Sequence, residues 1–149
     1  MKAILQRVTD AKVEVDSKTV GEIGTGFLIL LGVENGDTEK EADALAEKIA
    51  GLRIFTDEND KMNLSLAQVH GDILSISQFT LYANFKKGNR PSFTDAAKPD
   101  ISKPLYDRFN ALMEEAGMHV EKGIFGADMK IELLNDGPIT ICLDSEELF

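Results

Sequence analysis

Few residues in this 149-residue chain can do chemistry, and their spacing removes most of the usual options. The two histidines, His70 and His119, and the single cysteine, Cys142, form no His-x-x-x-His or Cys-x-x-Cys pair. The pattern therefore calls for no metal. Gly21, Gly24 and Gly26 give G-x-x-G-x-G, but a strand pattern follows them. A phosphate-binding loop needs a helix N-terminus at that point, so these glycines read as hairpin turns. Ser77 and Thr80 share the end of a strand pattern, where both hydroxyls can reach solvent. Acting as nucleophiles, they would need a base held by a carboxylate, and neither histidine is an obvious partner. No G-x-S-x-G elbow is present either. Solvent-facing strand residues and catalytic ones are equally good readings of the pair. Gly137-Pro138 marks a turn, for which a trans bond is the ordinary expectation. Cys142 can form no internal disulfide. Its apolar run, Ile139 to Leu143, predicts a buried structural thiol and a reducing compartment.

These residues must be positioned by short alternating elements. Residues 2–8 and 11–16 read as two strands joined by a turn at Thr9-Asp10, with period-two alternation clearest in Lys12 to Asp16. Thr19 to Ile23 adds a short strand. Phe27 to Val33 is apolar throughout, as in a strand covered on both faces. Thr38 and Glu41 form a capping-box pattern. Ala42, Leu45, Ile49 and Leu52 follow at helical spacing, which predicts a helix over 39–51. Arg53 to Phe55 reads as a short strand and 72–82 as a longer one. A loop over 83–99 carries Phe85 and Phe93 among its cations. A second helix is expected over 101–116, with Leu105, Phe109, Leu112 and Met113 on one face and Pro104 in its first turn. Strands over 118–122, 128–134 and 138–143 complete the chain, with Asn135 to Pro138 as the turn between the last two. The order implies one α/β domain over 1–149, its helices packed on a curved, largely antiparallel sheet.

The bulk numbers narrow the function. Hydrophobic residues make up 43% and charged residues 28%, the balance of an ordinary globular domain. The longest apolar run is too short to span a bilayer, and Met1 to Arg7 lacks a signal-peptide layout. The expected location is cytoplasmic, with no membrane partner. A net charge of -10 argues against indiscriminate nucleic-acid binding, which needs Lys and Arg. Residues 84–103 nevertheless carry +3, leaving -13 on the rest. One basic segment on an acidic body suits local contact with a phosphate backbone, or is simply a solvated loop.

Two segments carry a resemblance. Ser77-Gln78-Phe79-Thr80-Leu81-Tyr82 and Asn135-Asp136-Gly137-Pro138-Ile139-Thr140 together resemble the two signature motifs of the D-aminoacyl-tRNA deacylases. Met1 to Val8, Gly88 to Phe93 and Gly123 to Met129 resemble further stretches of that family, so the likeness covers the whole chain. The resemblance implies a small three-layer α/β/β fold with two main helices. It also implies a homodimer with active sites at its interface, and hydrolysis of the ester between a D-amino acid and tRNA. Glycyl-tRNA, including glycine mischarged on tRNA-Ala, would also be cleaved. Ser77, Gln78, Phe79 and Thr80 would line the catalytic pocket for the aminoacylated 3′ end. Backbone N–H groups near Phe79 and Thr80 would face the ester carbonyl. Thr80 is a candidate nucleophile, but assistance from the terminal 2′-hydroxyl is the better reading. Gly137-Pro138 would be cis, inserted from the partner protomer to exclude L-side chains by clash. Arg7 would hold that loop, and Phe125 and Met129 would contact the terminal adenine or pack in the core. No cofactor and no metal is implied.

Overall fold

The computed structural model describes residues 1–149 and opens with one long strand instead of two, β1 (Lys2–Val15). No turn forms at Thr9-Asp10. One edge of β1 is shared by two partners. Residues Lys2 to Val8 pair with β3 (Gly26–Gly32) and Ala11 to Val15 with β2 (Lys18–Ile23). Asp16 and Ser17 both take positive φ, 51° and 64°, as a tight two-residue hairpin between β1 and β2 demands.

After β3 the chain crosses over through α1 (Glu39–Gly51). Its start is as expected: Thr38 Oγ1 accepts from Lys40 N at 3.3 Å, and Glu41 Oε2 accepts from Thr38 N at 2.7 Å. A small hairpin, β4 (Phe55–Thr56) with β5 (Met62–Leu64), precedes β6 (Asp72–Ser77), which runs parallel to β3. The expected strand over 72–82 therefore stops at Ser77, and a 3-10 turn, Phe79–Tyr82, replaces its end. Helix α2 (Pro99–Glu115) begins two residues earlier than its apolar face suggested. Pro99 sits where a missing N–H is harmless. β7 (Val120–Lys122) runs parallel to β6.

The final strand, β8 (Lys130–Asp144), lies antiparallel along the other edge of β1 for almost its full length. Asn135 to Pro138 is thus not a hairpin turn. Val8 pairs with Asn135 and Gln6 with Thr140, so the residues between them bulge out opposite Arg7.

The sheet runs β2-β1-β3-β6-β7, with β8 beside β1. It curls until β2 meets β7: a Cβ on Gly21 would lie 3.1 Å from the carbonyl oxygen of Lys122. Val8, Val13, Ile23, Leu28, Leu74 and Ile76 fill the inside of the curl. Phe27, Ile29, Leu31 and Ile73 point outward, onto Leu45 and Ile49 of α1 and Phe109 and Met113 of α2. Helices and two sheet walls form the three layers. β3 is the shared partition, which explains its unbroken apolar run. Truncating fully buried Phe109 to alanine is expected to cost about 3–5 kcal/mol. Across the helix pair, Arg108 Nε donates to Asp43 at 2.6 Å and Nη2 at 3.0 Å. The guanidinium holds the Asp43 carboxyl below the usual range.

The expectation of a buried Cys142 fails. β8 is an edge strand, and its alternation turns Ile139, Ile141 and Leu143 inward while Thr140 and Cys142 face out. No helix is long and apolar enough to cross a membrane.

Candidate active site

Where β6 ends, the backbone changes its habit. Gln78 still pairs with the sheet, its N–H donating to Leu31 O at 2.8 Å. Its ψ of 83° then turns the chain into the 3-10 helix. The first hydrogen bond of that turn is Leu81 N to Gln78 O, at 3.4 Å. Phe79 and Thr80 precede it, and their N–H groups find no acceptor within the chain. No side chain caps them. Gln78 Nε2 instead donates to Thr80 Oγ1.

These residues border a cavity of about 600 Å³. Leu31, Val33 and Ile76 give it an apolar floor, and Ser77, Gln78 and Phe79 one wall. Phe93, Ala96 and Ala97 of the long loop form a second wall, with Phe93 edge-on to Phe79 at 5.0 Å between centroids. Lys98, Ser102 and Tyr106 come from the start of α2, and Phe125 and Met129 from the connection between β7 and β8. Volume and lining are those of a small-molecule site: mostly apolar, with a few placed polar groups. The Tyr106 hydroxyl donates to Ser75 O at 2.7 Å, and burial pushes its pKa up, so it remains a neutral donor. Phe125 lies 6.1 Å from the Tyr106 ring.

Ser77, Gln78, Phe79, Phe125 and Met129 are therefore brought together. Thr80 follows them in the 3-10 turn but is exposed and does not line the cavity. Arg7, Gly137 and Pro138 are not brought to the cavity of their own chain. They gather at the β8 bulge. Arg7 is 7% exposed and donates through Nη1 to Ile54 O at 2.7 Å. Its Nε lies 3.2 Å from the Asp136 carboxylate without the alignment of a hydrogen bond. Asn135 Nδ2 donates both to Arg7 O at 3.0 Å and to Ile139 O at 2.9 Å, closing the bulge at its base. Gly137-Pro138 is cis, not the trans turn that the dipeptide alone suggested, and both residues are exposed.

Sequence reasoning missed Tyr106, Lys98, Ser102 and Asn135 as parts of these two structures. Tyr106 lies one turn before Phe109 on the buried face of α2, so its signal was indistinguishable from core. Asn135 stood inside a recognised motif, but its two acceptors are set by the fold.

The cavity offers no catalytic base in the manner of a triad. Neither histidine lines it, and His119 Nε2 lies 3.2 Å from Glu121 instead. Asp128, at the rim, pairs with Lys130 at 2.9 Å. What the arrangement can do is bind an apolar-faced ligand beside a turn whose first two N–H groups are left open.

Known proteins resemble the chain over nearly its whole length. A family model described as D-Tyr-tRNA(Tyr) deacylase matches residues 4–144. The D-aminoacyl-tRNA deacylase of Geobacter sulfurreducens is 60% identical, covering 98% of this chain and 96% of its own. That of Lactobacillus acidophilus is 58% identical, covering 97% of this chain and 99% of its own. A solved structure titled c-Myc DNA Unwinding Element Binding Protein superposes with a TM-score of 0.89 at 38% identity, covering 97% of this chain and 98% of that one. Matched over nearly its whole length in sequence and in shape, the chain belongs to the D-Tyr-tRNA(Tyr) deacylase family of hydrolases.

Proposed function

We propose that the cavity receives the aminoacylated terminal adenosine of tRNA and that water cleaves its ester. The observation that carries this reading is the pair of unpartnered N–H groups, Phe79 and Thr80, in a turn whose first residue, Phe79, lines an apolar cavity. Such donors stabilise charge as it develops on the carbonyl oxygen. Water adds to the carbonyl carbon, and the tetrahedral oxyanion settles on the two N–H groups. The bond to the ribose oxygen then breaks, that oxygen takes the proton given up by water, and free D-amino acid leaves tRNA. The neighbouring 2′-hydroxyl orients the water, which supplies by position what a base would otherwise supply. In this reading Ser77 and Gln78 shape the wall, and Phe125 and Met129 meet the adenine.

Chirality is read by exclusion. The exposed Gly137-Pro138 bulge of one protomer enters the cavity of its partner in a two-fold homodimer. Its main chain occupies the space of an L-side chain, while a D-side chain points away. Arg7 and Asn135 brace the bulge from below. Glycine has no side chain to exclude, so glycyl-tRNA, including glycine on tRNA-Ala, is cleaved too. The setting is the cytoplasm, and no metal or cofactor takes part.

Purified protein incubated with D-tyrosyl-, L-tyrosyl- and glycyl-tRNA tests this directly. Release of D-tyrosine and glycine with L-tyrosyl-tRNA intact is expected. Equal release of both tyrosine enantiomers would remove the filter, and no release from any ester would remove the activity.

A further inference from the structure

Nothing in the ester chemistry calls on the charge of the long loop. We propose that residues 84–92 form an arm that grips the phosphodiester backbone of the RNA just inside its esterified terminal nucleotide. The inference rests on the cavity being the ester site.

The arm has a built base and a free tip. Asn84 and Ser92 exchange two backbone hydrogen bonds, Asn84 N to Ser92 O at 2.8 Å and Ser92 N to Asn84 O at 2.9 Å. Asn84 Oδ1 also accepts from Lys86 N at 2.9 Å. Below this bridge the loop is tied to the end of β3. Asn35 N donates to Asp95 O at 3.0 Å, and Ala97 N donates to Val33 O at 2.9 Å. The base is thus fixed to the same strand end that floors the cavity, and Phe93, just beyond the bridge, is cavity wall.

Above the bridge, Lys86, Lys87 and Arg90 are exposed and pair with no carboxylate, and no acidic residue lies between Asn84 and Ser92. Most of the other charge on the chain is acidic, with a net -10 overall. A cluster of free cations on such a body is a focus for a polyanion. Phe85, 60% exposed beside them, offers a face to an unpaired base. The tip, residues 86–90, bends back on itself above the bridge, close to the Phe93 wall of the cavity. A strand whose terminal nucleotide enters the cavity would run past that tip. The cavity reads the ester and the arm holds the strand that presents it.

The test compares two substrates with one variant, Lys86→Ala/Lys87→Ala/Arg90→Ala. D-tyrosyl-tRNA carries the backbone, and D-tyrosyl-adenosine carries the same ester without phosphates. For the variant, KM for D-tyrosyl-tRNA should rise at least tenfold with kcat little changed, while kinetics on D-tyrosyl-adenosine stay within twofold of the parent. The slope of log(kcat/KM) for tRNA against log salt should become shallower by about 0.7 for each phosphate no longer neutralised, so by about 2 for three. Unchanged KM and salt slope on tRNA overturn the arm. Equal losses on both substrates overturn it as well, since they place the damage in the cavity. Failure of the parent protein on both esters strikes the deacylase reading instead.

Discussion

The wall at Ser77–Tyr82 and the bulge at Asn135–Pro138 both interrupt a strand, and they treat their backbone groups in opposite ways. At the wall, the 3-10 turn leaves the N–H groups of Phe79 and Thr80 without acceptors beside a cavity. At the bulge, one amide, Asn135 Nδ2, holds two carbonyls, and the guanidinium of Arg7 fills the space beneath. Phe79 and Thr80 are exposed, so water can hold their donors until a ligand oxygen takes its place. A braced bulge gains nothing from a ligand and serves better as a shape. The contrast separates the two proposed tasks: the wall stabilises charge, and the bulge excludes atoms.

The comparison breaks most visibly at Phe79. Phe79→Pro removes one open N–H without breaking any hydrogen bond, since proline suits the first position of a helical turn. A loss of one such donor is expected to lower kcat by about 100- to 1,000-fold. Phe79→Ala keeps the N–H and loses only the ring, so it should retain far more of kcat. Similar kcat values for the two variants would show that the donor does not matter.

Gly137→Ala probes the bulge. The added Cβ would stand 2.8 Å from Ile139 Cγ1 and 3.2 Å from Arg7 Nη2, at a φ of +122° that L-residues rarely adopt. Displacing the loop by about 1 Å into its partner's site should reduce kcat/KM on the D-ester about 100-fold and also relax rejection of the L-ester. Normal values for both esters would deny the loop its role. Asn135→Ala acts one step further away. Freeing two part-buried carbonyls should cost about 1–3 kcal/mol in urea unfolding, with a smaller change in D/L selectivity than Gly137→Ala. The smallest effect belongs to Thr80→Ala, because that side chain does not line the cavity and only accepts from Gln78. Its kcat should stay within about threefold, well short of the losses that follow removal of a true nucleophile.

Much of the fold was legible because helices and central strands announce themselves locally. Thr38 and Glu41 cap α1 as their spacing requires, and the unbroken run Phe27 to Val33 marked the partition strand. Both signature segments misled at the same level. Phe79 to Tyr82 is rich in residues that favour strands, yet it folds as a 3-10 turn. Asn135 to Pro138 has the composition of a hairpin turn, yet β1 continues past it and converts it into a bulge. In each case a partner far away in the chain decided the outcome, Leu31 for the wall and Arg7 for the bulge. Cys142 failed for a related reason. An apolar run predicts burial only if both faces are covered, and the outer face of β8 is bare. The proposed chemistry was not legible from residue types, because it is assigned to main-chain N–H groups and every residue but proline has one.

In the proposed dimer one protomer's bulge completes the other protomer's wall, and mixed dimers test this most directly. Phe79→Pro and Gly137→Ala proteins are each expected to be nearly inactive on D-tyrosyl-tRNA. Denatured together at equal amounts and refolded, half of the dimers become mixed, and each of those regains one intact site of two. Activity should therefore return to about a quarter of the parent level by that symmetry. Activity no higher than the mean of the two variants alone would contradict the account, because the bulge and the wall would then have to act within a single chain.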